Sequence, residues 1–262
     1  GNEHTAAHYI RTMPQIAEHN RQSINPYPSQ AEQRFILETG LNSLYDVRAD
    51  GQGYCYASTR LPLLNFRPHT KFQMLDNLQG GAHQFMADLF IVDWLQEKNI
   101  LYDVATDHDL HRDGVALLDQ YDVVITGTHH EYVSFAELDA VAHYVENGGK
   151  LMYMSGNGFY WVTSQPDGDD TVIEVRRAHG TGAWTVAAGE RHHATTGEQG
   201  GLWKDRGRPP QTLVGVGFVA DSLSGNAVYE VQAVAGGSLA EHILMRAGLE
   251  AGDMLGDERS LV

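Results

Sequence analysis

The chain has 262 residues, 42% of them hydrophobic, with 34 acidic and 18 basic side chains and a formal net charge of −16. That size suffices for a real core in one large domain or two small ones, and no run approaches the ~18 apolar residues of a membrane span. An acidic surplus with no Lys/Arg stripe argues against nucleic acid and anionic membranes as partners.

The first 80 residues are loop-rich. The opening, GNEHTAAHYIRTMPQ, carries no signal-peptide pattern and reads as the middle of a longer subunit. Residues 44–69, LYDVRADGQGYCYASTRLPLLNFRPH, hold Gly51, Gly53, Pro62 and Pro68 and no sustained period. A long irregular segment in a compact domain is usually functional or an arm onto a partner. Cys55 is the single cysteine, so no intrachain disulfide forms and a reducing, cytoplasmic setting is expected. Its plain reading is a small, buried or half-buried side chain.

From residue 83 the texture alternates. HQFMADLFIVDWLQE (83–97) has helical spacing and NILYDVAT (99–106) reads as a strand. DHDLHRDGVALLDQ (107–120) is a loop with a short helix, and YDVVITG (121–127) is a buried strand. In SFAELDAVAHYVENGG (134–149), Ser134 and Glu137 form a capping box and Gly148 supplies the stop. KLMYMS (150–155) is a third strand. This βαβαβ order predicts an α/β fold: an open, mostly parallel sheet with helices on both faces and right-handed crossovers. The core of that one domain spans 81–161. Beyond 162, TVIEVRRA, AWTVAA, TLVGVGFVA and NAVYEVQAV read as short strands or extended loops, and 237–248 as a final helix.

Ligands of an open parallel sheet bind beyond the carboxyl ends of its strands. Two loops meet that condition, GTHHEY (127–132) and SGNGFYW (155–161), and their tips are expected side by side. Residues i and i+2 of an extended segment share a side, so His129 and Glu131 face one site and His130 points away. An imidazole beside a carboxylate suits acid–base chemistry or metal binding; the bland alternative is that both face solvent or cap the next helix. Asn157, between two glycines, can orient a carbonyl or amine, or the loop can be a turn whose aromatic residues fill the core. GVGFVA (215–220) lacks the strand–turn–helix of a dinucleotide site. Cys55 as an amidotransferase nucleophile would need an elbow followed by a helix, which GQGYCYAS does not offer.

The blocks GLNSLYDVRADGQGYCYASTRLPLLNFRPH, DLFIVDWL, YDVATDHDLH, GTHHEY, LMYMSGNGFYW, IEVRRAHGTGAW and GEQGGLWKDRGRPPQTLVGVGF resemble, in order, the C-terminal region of the large subunit of N,N-dimethylformamidase and its relatives. The resemblance covers nearly all of 40–220. It implies a glutamine-amidotransferase-like fold and a mononuclear ferric site with tyrosine and glutamate oxygen ligands, zinc being a weaker fit. Residue by residue it implies Glu131 as the glutamate ligand and Tyr45 as a tyrosine ligand, with Tyr54 and Tyr56 ranked below. His129 corresponds to the histidine beside the metal, Asn157 to an asparagine of the substrate pocket, with Phe159 next to it. It also implies a small amide substrate, a small-subunit partner and homo-oligomerisation. His130 stands where the family has proline. The second tyrosine ligand is expected upstream of Gly1, with Tyr9 a poor substitute. An incomplete site with a structural or binding role is therefore the alternative to an amidohydrolase.

Overall fold

The computed structural model describes residues 44–60, 85–166, 168–169, 171–180, 184–218 and 227–258, with isolated positions at Ala31, Arg34 and Glu38. Tyr9 and the proline-containing stretch 61–69 lie outside the described residues. The chain divides into two compact units, Gly1–Gly217 and Phe218–Val262.

In the larger unit, strand β1 (Tyr56–Ser58) is followed by helices α1 (Phe85–Glu97), α2 (Asp107–Asp113) and α3 (Val115–Leu118). Strands β2 (Val123–Ile125) and β3 (Tyr132–Ser134) lead into helix α4 (Phe135–Glu146), then β4 (Lys150–Met152), β5 (Trp161–Ser164), β6 (Val172–Val175) and the short helix α5 (Gln211–Val214). The capping box of α4 forms as its sequence requires. Ser134 Oγ accepts from the Glu137 amide at 3.3 Å, and the Glu137 carboxylate accepts from the Ser134 amide. The helix ends at Asn147, with Gly148 at φ 92°, a conformation glycine adopts without strain. Thr106 and Asp109 build the same device at the start of α2.

The expected open parallel sheet is not what forms. A four-stranded sheet has the order β1-β6-β5-β3, and β2 pairs with β4 as a separate two-stranded parallel ladder. Among the described strands of this unit, β3–β5 and β2–β4 are parallel, and β1–β6 and β5–β6 are antiparallel. The larger unit is thus mixed α/β. NILYDVAT, read as a strand, joins neither ladder: Leu101 is 99% and Val104 76% exposed. Asn99, at φ 54°, turns the chain away at the end of α1. TLVG forms α5 rather than a strand, and AWTVAA stays irregular.

The core packs α2, α3 and α4 against the two ladders. Leu110, Leu118, Val133, Leu138, Ala140, Val141, Tyr144, Phe159, Val162 and Trp203 are buried in it. Trp203 ties the layers together, since its Nε1 donates to the Val133 carbonyl at 3.0 Å and its amide to the Tyr160 carbonyl at 3.0 Å. The smaller unit is an antiparallel pair, β7 (Ala227–Glu230) and β8 (Met254–Glu258), bracketing helix α6 (Leu239–Ala247). Ser238 caps α6 and Gly248 ends it in the left-handed region.

Candidate functional site

Two chain segments run side by side through a break in the sheet. The β2–β4 ladder pairs Ile125 with Met152, and parallel pairing resumes where Tyr132 meets Trp161. Between these points, residues 126–131 and 153–160 leave the ladders and bond to each other largely through side chain-to-backbone contacts. Ser155 Oγ accepts from the His130 amide at 2.8 Å, Thr126 Oγ1 from the Met154 amide at 2.8 Å, and the His130 carbonyl from Tyr153 Oη at 3.4 Å. The two loop tips singled out in the sequence do lie together.

Glu131 stands in this break with its backbone pinned. Its carbonyl accepts from the Trp161 amide at 2.7 Å and the Tyr160 amide at 3.0 Å. Its side chain is buried, and one carboxylate oxygen, Oε2, meets both His129 Nε2 at 3.3 Å and Asn157 Nδ2 at 2.5 Å. Burial pushes the carboxyl pKa up, but the His129 bond and charge, the Asn157 amide and the Arg177 guanidinium outweigh it and hold it below the ordinary glutamate range. His129 thus shares a face with Glu131. His130 turns the other way, Nε2 lying 3.3 Å from Asp107 Oδ1 and the ring edge-on to Phe159 at 5.2 Å. Asp88 of α1 anchors the loop, accepting from the Thr128 amide at 2.6 Å and from its hydroxyl at 2.8 Å.

Tyr45 reaches the same neighbourhood from a distant part of the chain. Its Oη is 3.3 Å from Tyr132 Oη, to which Arg177 Nη2 donates at 2.9 Å. Burial raises the Tyr132 phenol well above its usual range, with Arg177 pulling in the opposite direction. The alternative ligand Tyr56 is half exposed and accepts from Arg176 at 3.1 Å, apart from this cluster. Phe159 is fully buried in the core, edge-on to His130 and Tyr153, so it supports the site loop from behind. Cys55 precedes β1 rather than a helix, and burial raises its thiol pKa, both at odds with a nucleophile.

A hard trivalent cation needs anionic oxygen donors. Glu131 offers a carboxylate held ionised, and Tyr45 a phenol oxygen in the adjoining aromatic cluster. Among the described residues no group of three His, Cys, Asp or Glu side chains converges to hold a metal. Glu131 and Tyr45 are oxygen donors of the kind such a trivalent ion would take. Sequence reasoning missed Arg177, Tyr132 and Asp88. Arginine in IEVRRAHG is an unremarked residue type, and only the fold carries it to Tyr45.

The profile of the family described as N,N-dimethylformamidase beta subunit-like, C-terminal, matches residues 22–260. The chain is 42% identical over 176 residues to the N,N-dimethylformamidase beta subunit of Paracoccus aminophilus. It is 40% identical over 176 residues to the N,N-dimethylformamidase beta subunit of Alcaligenes sp. Each comparison covers 67% of this chain but 22% of the relative, so the chain spans about a fifth of the length of the curated relatives it matches.

Proposed function

The chain belongs to the N,N-dimethylformamidase beta subunit-like family, and from that premise we propose that it carries the site of an amidohydrolase acting on a small N-substituted formamide. The reaction adds water across the C–N bond, giving an amine and a carboxylate; for dimethylformamide these are dimethylamine and formate. The observation that carries this reading is the buried Glu131 carboxylate, held ionised with His129 and Asn157 on the same oxygen.

Glu131 and Tyr45 are the residues that hold a ferric ion in this reading. Such an ion supplies Lewis acidity, which polarises an amide carbonyl or acidifies a water. His129 accepts the proton of the attacking water at an imidazole nitrogen and returns it to the departing amine nitrogen. Asn157 keeps Glu131 in place through one amide hydrogen, and its second hydrogen and its oxygen orient the substrate amide. Phe159 and Tyr153 keep the loop backbone from shifting during that exchange. A small-subunit partner belongs to the same proposal, on the strength of the relatives' description as beta subunits.

The test is formate release from dimethylformamide by the purified protein, with iron measured by elemental analysis and visible absorbance. Glu131→Gln is expected to lose bound iron and lower kcat/KM by about 100-fold or more, in the range of losing a group that stabilises the transition state. His129→Gln is expected to keep the iron and lower kcat. Full activity in Glu131→Gln, or an active protein with neither iron nor a tyrosinate absorbance band, sinks the reading.

A further inference from the structure

Arg177 is 1% exposed, among the most deeply buried large side chains described. A buried guanidinium is costly unless its charge and its N–H groups are engaged. Its Nη2 donates to Tyr132 Oη at 2.9 Å and its Nε to the Leu44 carbonyl at 3.3 Å. Four aromatic rings surround its Cζ, those of Trp161 at 4.6 Å, Tyr45 at 4.8 Å, Tyr132 at 5.6 Å and Trp184 at 5.8 Å. Planarity and stacking of this kind are specific to arginine.

The Leu44 carbonyl accepts a second bond, from Trp184 Nε1 at 2.9 Å. Tyr45, the next residue, opens a tight loop closed by the Val47–Gly53 bridge and by the Tyr54 amide donating to the Asp46 carbonyl at 3.1 Å. That loop lies against the same tryptophan at its far end, because a Cβ on Gly53 would stand 1.9 Å from the Trp184 ring. The loop is therefore held at both ends, by the bonded carbonyl of Leu44 and by the bare backbone of Gly53.

We propose that Arg177 is a positioning residue: together with Trp184 it clamps the Leu44–Tyr45 turn onto β3 and so sets where the Tyr45 phenol stands relative to Glu131. Arg177 itself touches no reacting atom. The inference rests on the reading of Tyr45 and Glu131 as oxygen ligands. Lysine cannot replace Arg177, since a single ammonium neither spans Tyr132 and Leu44 in two fixed directions nor stacks among the rings. Gly53→Ala attacks the same clamp from the other side, by displacing Trp184 while leaving Arg177 intact.

The experiment is amide hydrogen exchange on the metal-free protein, paired with a ferric titration that follows the visible tyrosinate band. Wild type, Arg177→Lys and Gly53→Ala are compared. In both variants, amides of 45–54 are expected to exchange about tenfold faster, while those of α4 keep wild-type rates. Bound iron is expected to show a shifted or weakened band and about tenfold lower affinity, a loss that simple destabilisation of a distant helix does not produce. If Arg177→Lys fails to fold, Gly53→Ala carries the test. Wild-type exchange across 45–54, or a wild-type band and affinity in the folded variants, overturns the inference. Wild-type protein that takes up no ferric ion overturns the ligand reading itself, and the positioning role with it.

Discussion

His193 illustrates how much one buried nitrogen can matter. It is 1% exposed, its Nδ1 sits 2.5 Å from Ser164 Oγ, and its Nε2 meets no partner among the described residues. Ser164 continues to Thr195 at 2.6 Å, and Thr195 donates to Glu174 at 2.8 Å. Burial drives the imidazole pKa down to about 4; Glu174 opposes the shift, while Arg176, Arg206 and His192 add to it. An unfolded histidine titrates near ~6.5, so between that value and about 4 the unfolded chain binds the extra proton. Stability contributed by neutral His193 is therefore present above pH ~6.5 and is lost as pH falls, by at most about 1.4 kcal/mol per pH unit. Urea unfolding at a series of pH values should show that slope, and His193→Gln should flatten it. Nothing in the sequence separated His193 from its exposed neighbour His192. The two share composition and context, and it is the close approach of Gly200 and the Ser164 hydroxyl to one ring that distinguishes them.

At the scale of the element, what was legible was whatever closes within one turn. The Ser134–Glu137 box and the Gly148 stop involve partners three or four residues apart, so a string of letters specifies them. Ser134→Ala is expected to destabilise by about 1 kcal/mol, the usual effect of losing such a cap. The loss should be larger than in an isolated helix, because Ser134 Oγ also bonds His111 Nδ1 at 2.7 Å. Thermal unfolding with far-ultraviolet circular dichroism checks both points. His129 and Glu131 do meet, but the two-residue period of an extended chain is not the cause: His129 lies in a turn, and the Glu131 amide donates back to the His129 carbonyl at 3.0 Å. Sheet membership was not legible, because NILYDVAT has the apolar alternation of a strand whether or not a neighbour accepts it. Its exclusion is settled by the turn at Asn99 and by partners far along the chain.

Across the whole molecule, a net charge of −16 acts as self-repulsion that a compact state must bear. Raising salt from about 0.01 M to about 1 M shortens the screening length from ~30 Å to ~3 Å. The urea midpoint should rise over that range, and an unchanged or falling midpoint would show that local ion pairs such as Arg208–Asp139, at 2.7 Å, outweigh the global charge. The family was readable at this scale, since ordered blocks over most of the chain carry more information than any single motif. The broken sheet was not readable, because register between two distant segments leaves no local trace.

That break has a consequence for how the region tolerates change. An ordinary surface hairpin can lengthen freely, since only its two stems feel the insertion. Here residues 126–131 and 153–160 are each tied at both ends into parallel ladders of fixed register. An inserted or deleted residue in either has no free end through which to relax, and it must be absorbed between the two loops or passed to β3 and β5. The stretch is therefore open to substitution but closed to changes of length, and diversification of these two loops must proceed one side chain at a time.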